Sequence, residues 1–348
     1  MQYPAEAEIG AKVAFLARAD SYPDGTDAVK VIETHFAWVF LCRGFAYKLK
    51  KPIRAHGFDL EALAARRANC ELEVSLNRRL AESVYVGVVP LVRSGRSFRL
   101  GACGEPAEWL VKMRRLPEER ALDRAASSGA VGDADLIEVV DKLVVFYARS
   151  ARALWTGARY REHLSSTIER CARDLMSSDL RIDTDRVHRL RAGQLRFVLE
   201  HETLLDSRVT ARRVVDAHGD LRPEHVFLGD PPEIIDCLEF SAELRLLDTA
   251  EEIAFLELEC ERLGFAHIGA RIMEIYRAAS ADQMPPELLA FYRSLRALVR
   301  ALLAAWRLRD PLTDGDAQHW RRRVAWYLDA AQAALARSQA PASCAQGA

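Results

Sequence analysis

Between residues 29 and 100, apolar positions gather into short runs rich in β-branched and aromatic residues, at 29–35, 37–42, 45–50, 84–93 and 97–100. Such runs predict an antiparallel sheet. Arg43 and Gly44 separate the second run from the third closely enough for a tight hairpin. Residues 59–80 carry apolar positions at helical spacing instead, so one helix is predicted within the sheet. After Trp109 the period lengthens: apolar residues recur every three or four positions over 133–154, 181–205, 286–308 and 319–336. The rest of the chain therefore reads as mainly helical. Short apolar strands at 214–217, 226–228 and 234–235 interrupt it, set apart by Asp, Pro and Gly.

These elements predict an α+β protein of two lobes. A small sheet lobe occupies 1–115, a larger helical lobe 116–338, and a disordered tail 339–348. The segment 116–132, with Pro117, Gly129 and Gly132, is the expected exit from the first lobe. With 348 residues, half of them apolar, the chain can support two modest cores. Basic and acidic residues nearly cancel, 49 against 50, so the overall charge calls for neither nucleic acid nor an anionic membrane as partner. The most apolar helix is interrupted by Arg293, Arg296, Arg300 and Arg307, and the first ten residues lack a basic stretch followed by an apolar run. No membrane span or signal peptide is indicated. Seven cysteines are scattered singly, without a CxxC pair, which favours reduced thiols and a cytoplasmic protein.

The chemistry concentrates in His218-Gly219-Asp220-Leu221-Arg222-Pro223-Glu224-His225, followed by Asp236-Cys237-Leu238-Glu239-Phe240. In phosphoryl transfer one carboxylate orients a hydroxyl and accepts its proton, and another holds the metal that bridges the nucleotide phosphates. Asp220 and Asp236 suit these two roles. His-Gly-Asp alone is also an ordinary turn with a capping aspartate. Its conjunction with 236–240, and with Phe45-Ala46-Tyr47-Lys48 upstream, is what points to chemistry. Strand alternation puts Ala46 and Lys48 on one face, a small residue beside a lysine, as a clamp for adenine and phosphates requires. Glu71 and Glu73 are the two carboxylates that the following helix offers Lys48, and Glu73 is favoured because Leu76 and Leu80 follow at core-facing spacing. Lys50 and Lys51 read as solvated strand residues. A GxxxxGK[ST] run is absent, which excludes the ordinary P-loop route.

The 218–240 segment resembles the catalytic loop and metal-binding strand of the aminoglycoside phosphotransferase-like small-molecule kinases. The strings Glu33 to Leu41, Ala46 to Pro52 and Leu76 to Leu80 are similar to a bacterial branch of that group. The resemblance spans roughly 29–265. It implies the two-lobed protein-kinase-like fold, with an antiparallel-sheet N-lobe holding ATP and a helical C-lobe carrying the catalytic loop. It further implies His218 and Asp220 in that loop with Asp220 as the base, Asp236 as the principal magnesium ligand, and Glu239 near the metal or the substrate. Backbone groups near Val111 and Met113 would meet the adenine, and Asp248 would cap the next helix and support the catalytic loop. Some relatives in this branch carry an additional P-loop kinase domain.

Two positions depart from the group's pattern. His225 stands where these kinases place Asn as a second metal ligand, so either that metal is lost or the preference moves toward manganese. The turn within 32–38 contains no glycine, leaving Thr34 and His35 to cap the phosphates with side chains. The leading expectation is an ATP-dependent kinase acting on a hydroxyl of a small molecule, with no oligomeric state implied. An excess of acidic residues over 216–261 would favour a cationic acceptor if these line the cleft. A nucleotide-binding pseudokinase or regulatory module is the alternative. A metallohydrolase built on His201, His218, His225, Asp220 and Asp236 is a further one.

Overall fold

The computed structural model describes residues 4–55, 58–177, 180, 182–309 and 313–339. It begins with helix α1 (Pro4–Leu16), followed by strands β1 (Lys30–Glu33), β2 (Ala37–Leu41), β3 (Phe45–Lys50), β4 (Arg54–Ala55) and β5 (Phe58–Asp59). Helix α2 (Leu63–Asn77) precedes β6 (Tyr85–Ser94), β7 (Ser97–Leu100) and β8 (Pro106–Arg114). Then come α3 (Leu122–Ser127), α4 (Asp133–Arg149), α5 (Gly157–Leu175), α6 (Thr184–Glu200), α7 (Glu202–Thr210) and β9 (Val214–Asp216). The chain continues through β10 (Val226–Phe227), β11 (Glu233–Ile234), α8 (Ala242–Arg245), β12 (Leu246–Asp248) and α9 (Thr249–Arg262). It closes with α10 (Ala266–Ser280), α11 (Pro286–Trp306) and α12 (Asp314–Ser338). Among the described residues no helix is long and apolar enough to cross a membrane.

Two compact units result, Met1–Val131 with Glu224–Leu244, and Gly132–Pro223 with Arg245–Ala348. The first unit runs past the boundary expected at residue 115 and takes in a segment expected in the second lobe. Its reason is local: the Leu228 N–H donates to the Arg120 carbonyl at 2.8 Å, and Ala121 bridges Phe227, so 118–127 and the β10–β11 hairpin stabilise each other. The tail expected at 339–348 lies, from residue 340 onward, outside the described residues.

The first unit is built on an antiparallel sheet in the order β1-β2-β3-β8-β6-β7. Alternation gives it two apolar faces. Tyr47 and Leu49 of β3 join Phe40, Leu91 and Leu110 and are covered by Leu16, Tyr22 and the partly buried Ile9 and Val13. Ala46, Val111, Met113 and Tyr85 face the other way, onto Cys70 and Val74 of α2. Strand β8 occupies the centre of the sheet, and no strand is expected there from the sequence. Flanked by β3 and β6, it is buried on both faces, including Glu108, so its burial does not alternate with a period of two.

In the second unit Leu175, Val187, Leu190, Phe255, Leu258, Leu298, Tyr327 and Leu328 meet in one core drawn from α5, α6, α9, α11 and α12. Ala297, Ala301 and Ala305 repeat along α11 and let its neighbours approach closely. The helix expected at 181–205 ends at Glu200, where His201 leaves helical geometry before α7 begins. The last helix starts earlier than 319 because the Thr313 hydroxyl accepts the Asp316 N–H at its N-terminus. A short antiparallel pair, β9 with β12, carries the loop that follows Asp216.

Candidate active site

On β3, Ala46, Lys48 and Lys50 point to the α2 side. On α2, buried Cys70, Glu73, Val74 and Asn77 recur at steps of three and four, so Glu73 and Asn77 face the sheet. Glu71 falls off that face, is exposed, and pairs with Arg67 at 2.9 Å. The Lys48 ammonium lies 2.9 Å from Glu73 and 2.7 Å from Asp236. Burial works to lower its pKa, but Asp236 and Glu73 outweigh that and hold it well above the ordinary lysine value. Lys50 overturns the expectation of a solvated residue: its side chain is fully buried and contacts both Glu73 and Glu239. Glu239, expected near the metal or the substrate, is thereby engaged by Lys50 inside the unit.

Asp236 adopts a left-handed backbone, φ 63°, a conformation that costs a non-glycine residue about 1–3 kcal/mol unless its surroundings impose it. They do so through two residues the sequence did not single out. The Asp236 N–H donates to the Tyr85 hydroxyl at 3.2 Å, and the Cys237 N–H donates to the Asn77 side-chain oxygen at 2.8 Å. Asn77 in turn donates to the Glu73 carbonyl at 2.9 Å, joining α2 to the aspartate segment. Asn77→Ala is expected to strand the buried Cys237 N–H, at a cost of about 1–3 kcal/mol in urea unfolding.

The Asp236 side chain remains 42% exposed, and His225 approaches it through Nε2 at 3.5 Å. Enclosure alone would raise the Asp236 carboxyl, yet Lys48, followed by His225, holds it well below the usual carboxylate range. Among the described residues no group of three His, Cys, Asp or Glu side chains is arranged to hold a metal ion. Of the three residues expected at the metal, His225 lies beside Asp236, while Glu239 is engaged by Lys50.

Ala46, Val111 and Met113 form an apolar cluster, with Val39, Leu116 and Ile235 packed against it. Val111 pairs with Lys48 on one side and Val88 on the other, and Met113 with Ala46 and Tyr85. The backbone of 111–113, expected to meet the adenine, thus runs between β3 and β6, with a register irregularity at Tyr85 to Gly87 opposite it. In the turn after β1, the Thr34 hydroxyl donates to the Ala37 carbonyl at 2.9 Å and accepts the Ala37 N–H at 3.0 Å. Thr34 therefore closes the glycine-free turn, and Phe36 at its tip packs on Phe240 with ring centroids 4.7 Å apart.

In the second unit Gly219 takes φ 86°, which the reversal between His218 and Asp220 requires. Glu252, one turn into α9, accepts the His218 N–H at 3.1 Å and the Gly219 N–H at 2.6 Å, and Tyr147 donates to it at 2.8 Å. Sequence reasoning missed this brace, for which the only sign is an acidic residue in the first turn of a helix. Asp248 caps α9 by accepting the Ala250 N–H at 2.9 Å and is held by Arg208 and Tyr292. His218 is fully buried and its ring accepts the Asp220 N–H at 3.3 Å, so it shapes the loop. The partly exposed Asp220 carboxylate has Arg222 at 3.1 Å and Arg300 at 3.5 Å.

The acidic excess over 216–261 is largely matched by arginine in this unit: Asp216 with Arg245, Asp248 with Arg208, Glu257 and Glu261 with Arg293, and Glu259 with Arg262. These carboxylates are thus engaged with guanidinium groups. His201 stacks on Phe197 with centroids 3.9 Å apart, and no metallohydrolase cluster forms among the described residues.

No protein-family model matches the chain. An uncharacterised protein of Mycobacterium tuberculosis (strain H37Rv) is 32% identical over 276 residues, covering 78% of this chain and 54% of that protein. The chain thus spans about half the length of the curated relatives it matches. A choline/ethanolamine kinase family protein from Mesorhizobium loti superposes with TM-score 0.54 at 16% identity, over 94% of this chain and 99% of its own. The ethanolamine kinase of Plasmodium vivax does so with TM-score 0.53 at 11% identity, over 94% and 89%. At such identities the likeness is one of fold, and the chain has the protein-kinase-like fold of these kinases, the fold that its 218–240 segment implied.

Proposed function

We propose that the chain is an ATP-dependent phosphotransferase acting on a hydroxyl of a small molecule. The observation that carries this reading is the lysine bridge in the first unit, with Lys48 between a buried glutamate and an aspartate held in an imposed left-handed conformation. Lys48 would hold the nucleotide phosphates, kept charged and aimed by Glu73, and the apolar cluster around Ala46, Val111 and Met113 would receive the base.

Asp236 with His225 would hold a divalent cation, the carboxylate offering the oxygen that magnesium prefers and the imidazole suiting manganese. Such an ion, when bound, neutralises charge on the phosphates. In the second unit Asp220 accepts the proton of the acceptor hydroxyl as its oxygen bonds to the γ-phosphorus. The bond from that phosphorus to the bridging oxygen breaks, and ADP leaves with the electron pair. Glu252 and His218 keep the loop in shape for this role.

A nucleotide-binding module without turnover is the second reading, favoured by His225 at the metal position and by a Thr34 hydroxyl engaged in its own turn. Thermal unfolding with ATP and magnesium, or ATP and manganese, tests both readings. A nucleotide at a hundred times its dissociation constant stabilises the folded state by about 2.7 kcal/mol, so wild type is expected to shift upward by several degrees. Asp236→Ala and Lys48→Ala should abolish the shift. A larger shift with manganese would assign the ion preference to His225, and no shift under either metal would sink the ATP-dependent reading.

A further inference from the structure

Helix α11 sends two arginines, one turn apart, onto the loop that carries Asp220. Arg296 donates to the Gly219 carbonyl at 3.2 Å, and Arg300 lies 3.5 Å from the Asp220 carboxylate. Both are largely buried, Arg296 at 7% exposure and the Arg300 side chain at 11%, and both guanidinium groups lie over the Phe255 ring, at 4.4 and 5.7 Å. Buried guanidinium groups ordinarily hold carboxylates in forked bonds of roughly 2.7–2.9 Å. These two do not. The polar contacts of Arg300, to Glu259, to the Tyr327 hydroxyl and to Asp220, all lie at 3.4 to 3.5 Å. Glu259 is better held by Tyr327 at 2.6 Å and by Arg262 at 2.8 Å. Arg296 stands 3.7 Å from Glu251, and its buried Nε has no hydrogen-bond partner among the described residues.

Glu251 does not make up the difference, because burial pushes its carboxyl up to about 7, against the opposing pull of Arg296. A third guanidinium, that of Arg222, reaches Asp220 from the loop itself. Asp220 is therefore the carboxylate of a neighbourhood whose α11 cations have donor capacity to spare. A cationic acceptor would have to enter against them, whereas an anion would complete their bonding.

Resting on the phosphotransferase reading above, we infer that the acceptor whose hydroxyl meets Asp220 carries a carboxylate or phosphate group, and that Arg300, with Arg296, receives that group. The acceptor class is then hydroxy acids or phosphorylated alcohols. Arg300 is in this assignment a specificity-determining residue, and the bonds made and broken are those already given.

The test follows ADP release by the full chain with magnesium and ATP against hydroxy acids (glycerate, gluconate), a sugar phosphate (glucose 6-phosphate), amino alcohols (choline, ethanolamine) and neutral glycerol. Either anionic set is expected to accelerate release over the acceptor-free rate, and which one does so distinguishes carboxylate from phosphate. Arg300→Gln should raise KM for that acceptor about ten- to hundredfold, the loss of a charge-assisted bond, with a smaller change in kcat and partial recovery in Arg300→Lys. Acceleration by an amino alcohol or glycerol in preference to the anions overturns the inference. So does a fall in kcat at constant KM in Arg300→Gln, which would make Arg300 only a support for Asp220. If nothing in the panel is turned over, sulfate decides: its thermal stabilisation over chloride at equal ionic strength should be larger in wild type than in Arg300→Lys, and equal shifts overturn the proposal. The sulfate comparison needs no nucleotide, so absence of an ATP shift counts against the phosphotransferase reading separately.

Discussion

Asp220→Asn is expected to lower turnover about a thousandfold, within the range of roughly 10²–10⁴ that a positioned base contributes, while leaving ATP-induced stabilisation intact. The substitution keeps the shape of the side chain but removes the charge that takes the proton in the proposed reaction. The backbone of the loop should not respond, because Glu252 holds the His218 and Gly219 N–H groups and the His218 ring accepts the Asp220 N–H. The amide oxygen can still accept from Arg222, although Arg300 loses an attractive charge. ADP release with the best acceptor and thermal shift with ATP separate the two effects. Turnover within tenfold of wild type would show that Asp220 is not the base. A wild type that binds ATP and never releases ADP above the background rate would instead favour the module without turnover.

Much of this arrangement was legible because it depends on short-range rules. Runs of β-branched residues located five strands of the sheet, and strand alternation alone placed Ala46 and Lys48 on one face. The spacing of Glu73 relative to Leu76 and Leu80 separated it from Glu71, which the structure finds exposed. What stayed hidden depends on partners far along the chain. The alternation that places Lys48 also places Lys50, yet a lysine can be buried only if carboxylates meet it there, and one of its two comes from Glu239, 189 residues away. Asn77 and Tyr85 are an ordinary helix end and strand start until the backbone of 236–237 arrives beside them.

The ion pairs behind the acidic excess around Asp220 stayed hidden for the same reason. Its arginine partners include Arg208 on α7 and Arg293 on α11, outside the 216–261 window, so a local count of charge saw only part of each pair. Strand β8 escaped for a different cause. A central strand buried on both faces loses the two-residue period that marks its neighbours, and its short Trp109 to Val111 stretch then reads equally well as a connection.

Lys50→Met tests the deepest of these hidden contacts. Removing one partner of a buried ion pair costs about 3–5 kcal/mol, since the partner keeps a charge with nothing to balance it. Here Glu73 retains Lys48, but Glu239 loses its ion-pair partner. In wild type burial raises the Glu239 carboxyl, and Lys50 is the main influence opposing that rise. In the variant the opposition is gone, the folded-state pKa climbs further, and Glu239 holds a proton that the unfolded chain releases near its ordinary value of about 4.3. Between those two values the folded state binds the extra proton, so the variant loses stability as pH rises through that window. Buried Glu73 and the partly exposed Asp236 carry the opposite sign, being held low by lysine, so their contribution is present above the ordinary carboxylate range and fades as pH falls. Urea unfolding should therefore find the penalty of Lys50→Met larger at about pH 8 than at about pH 5, and Glu239→Gln added to the variant should recover most of the loss at the higher pH. Equal penalties at both pH values, or no recovery in the double variant, would mean that Glu239 is not the charge that Lys50 balances.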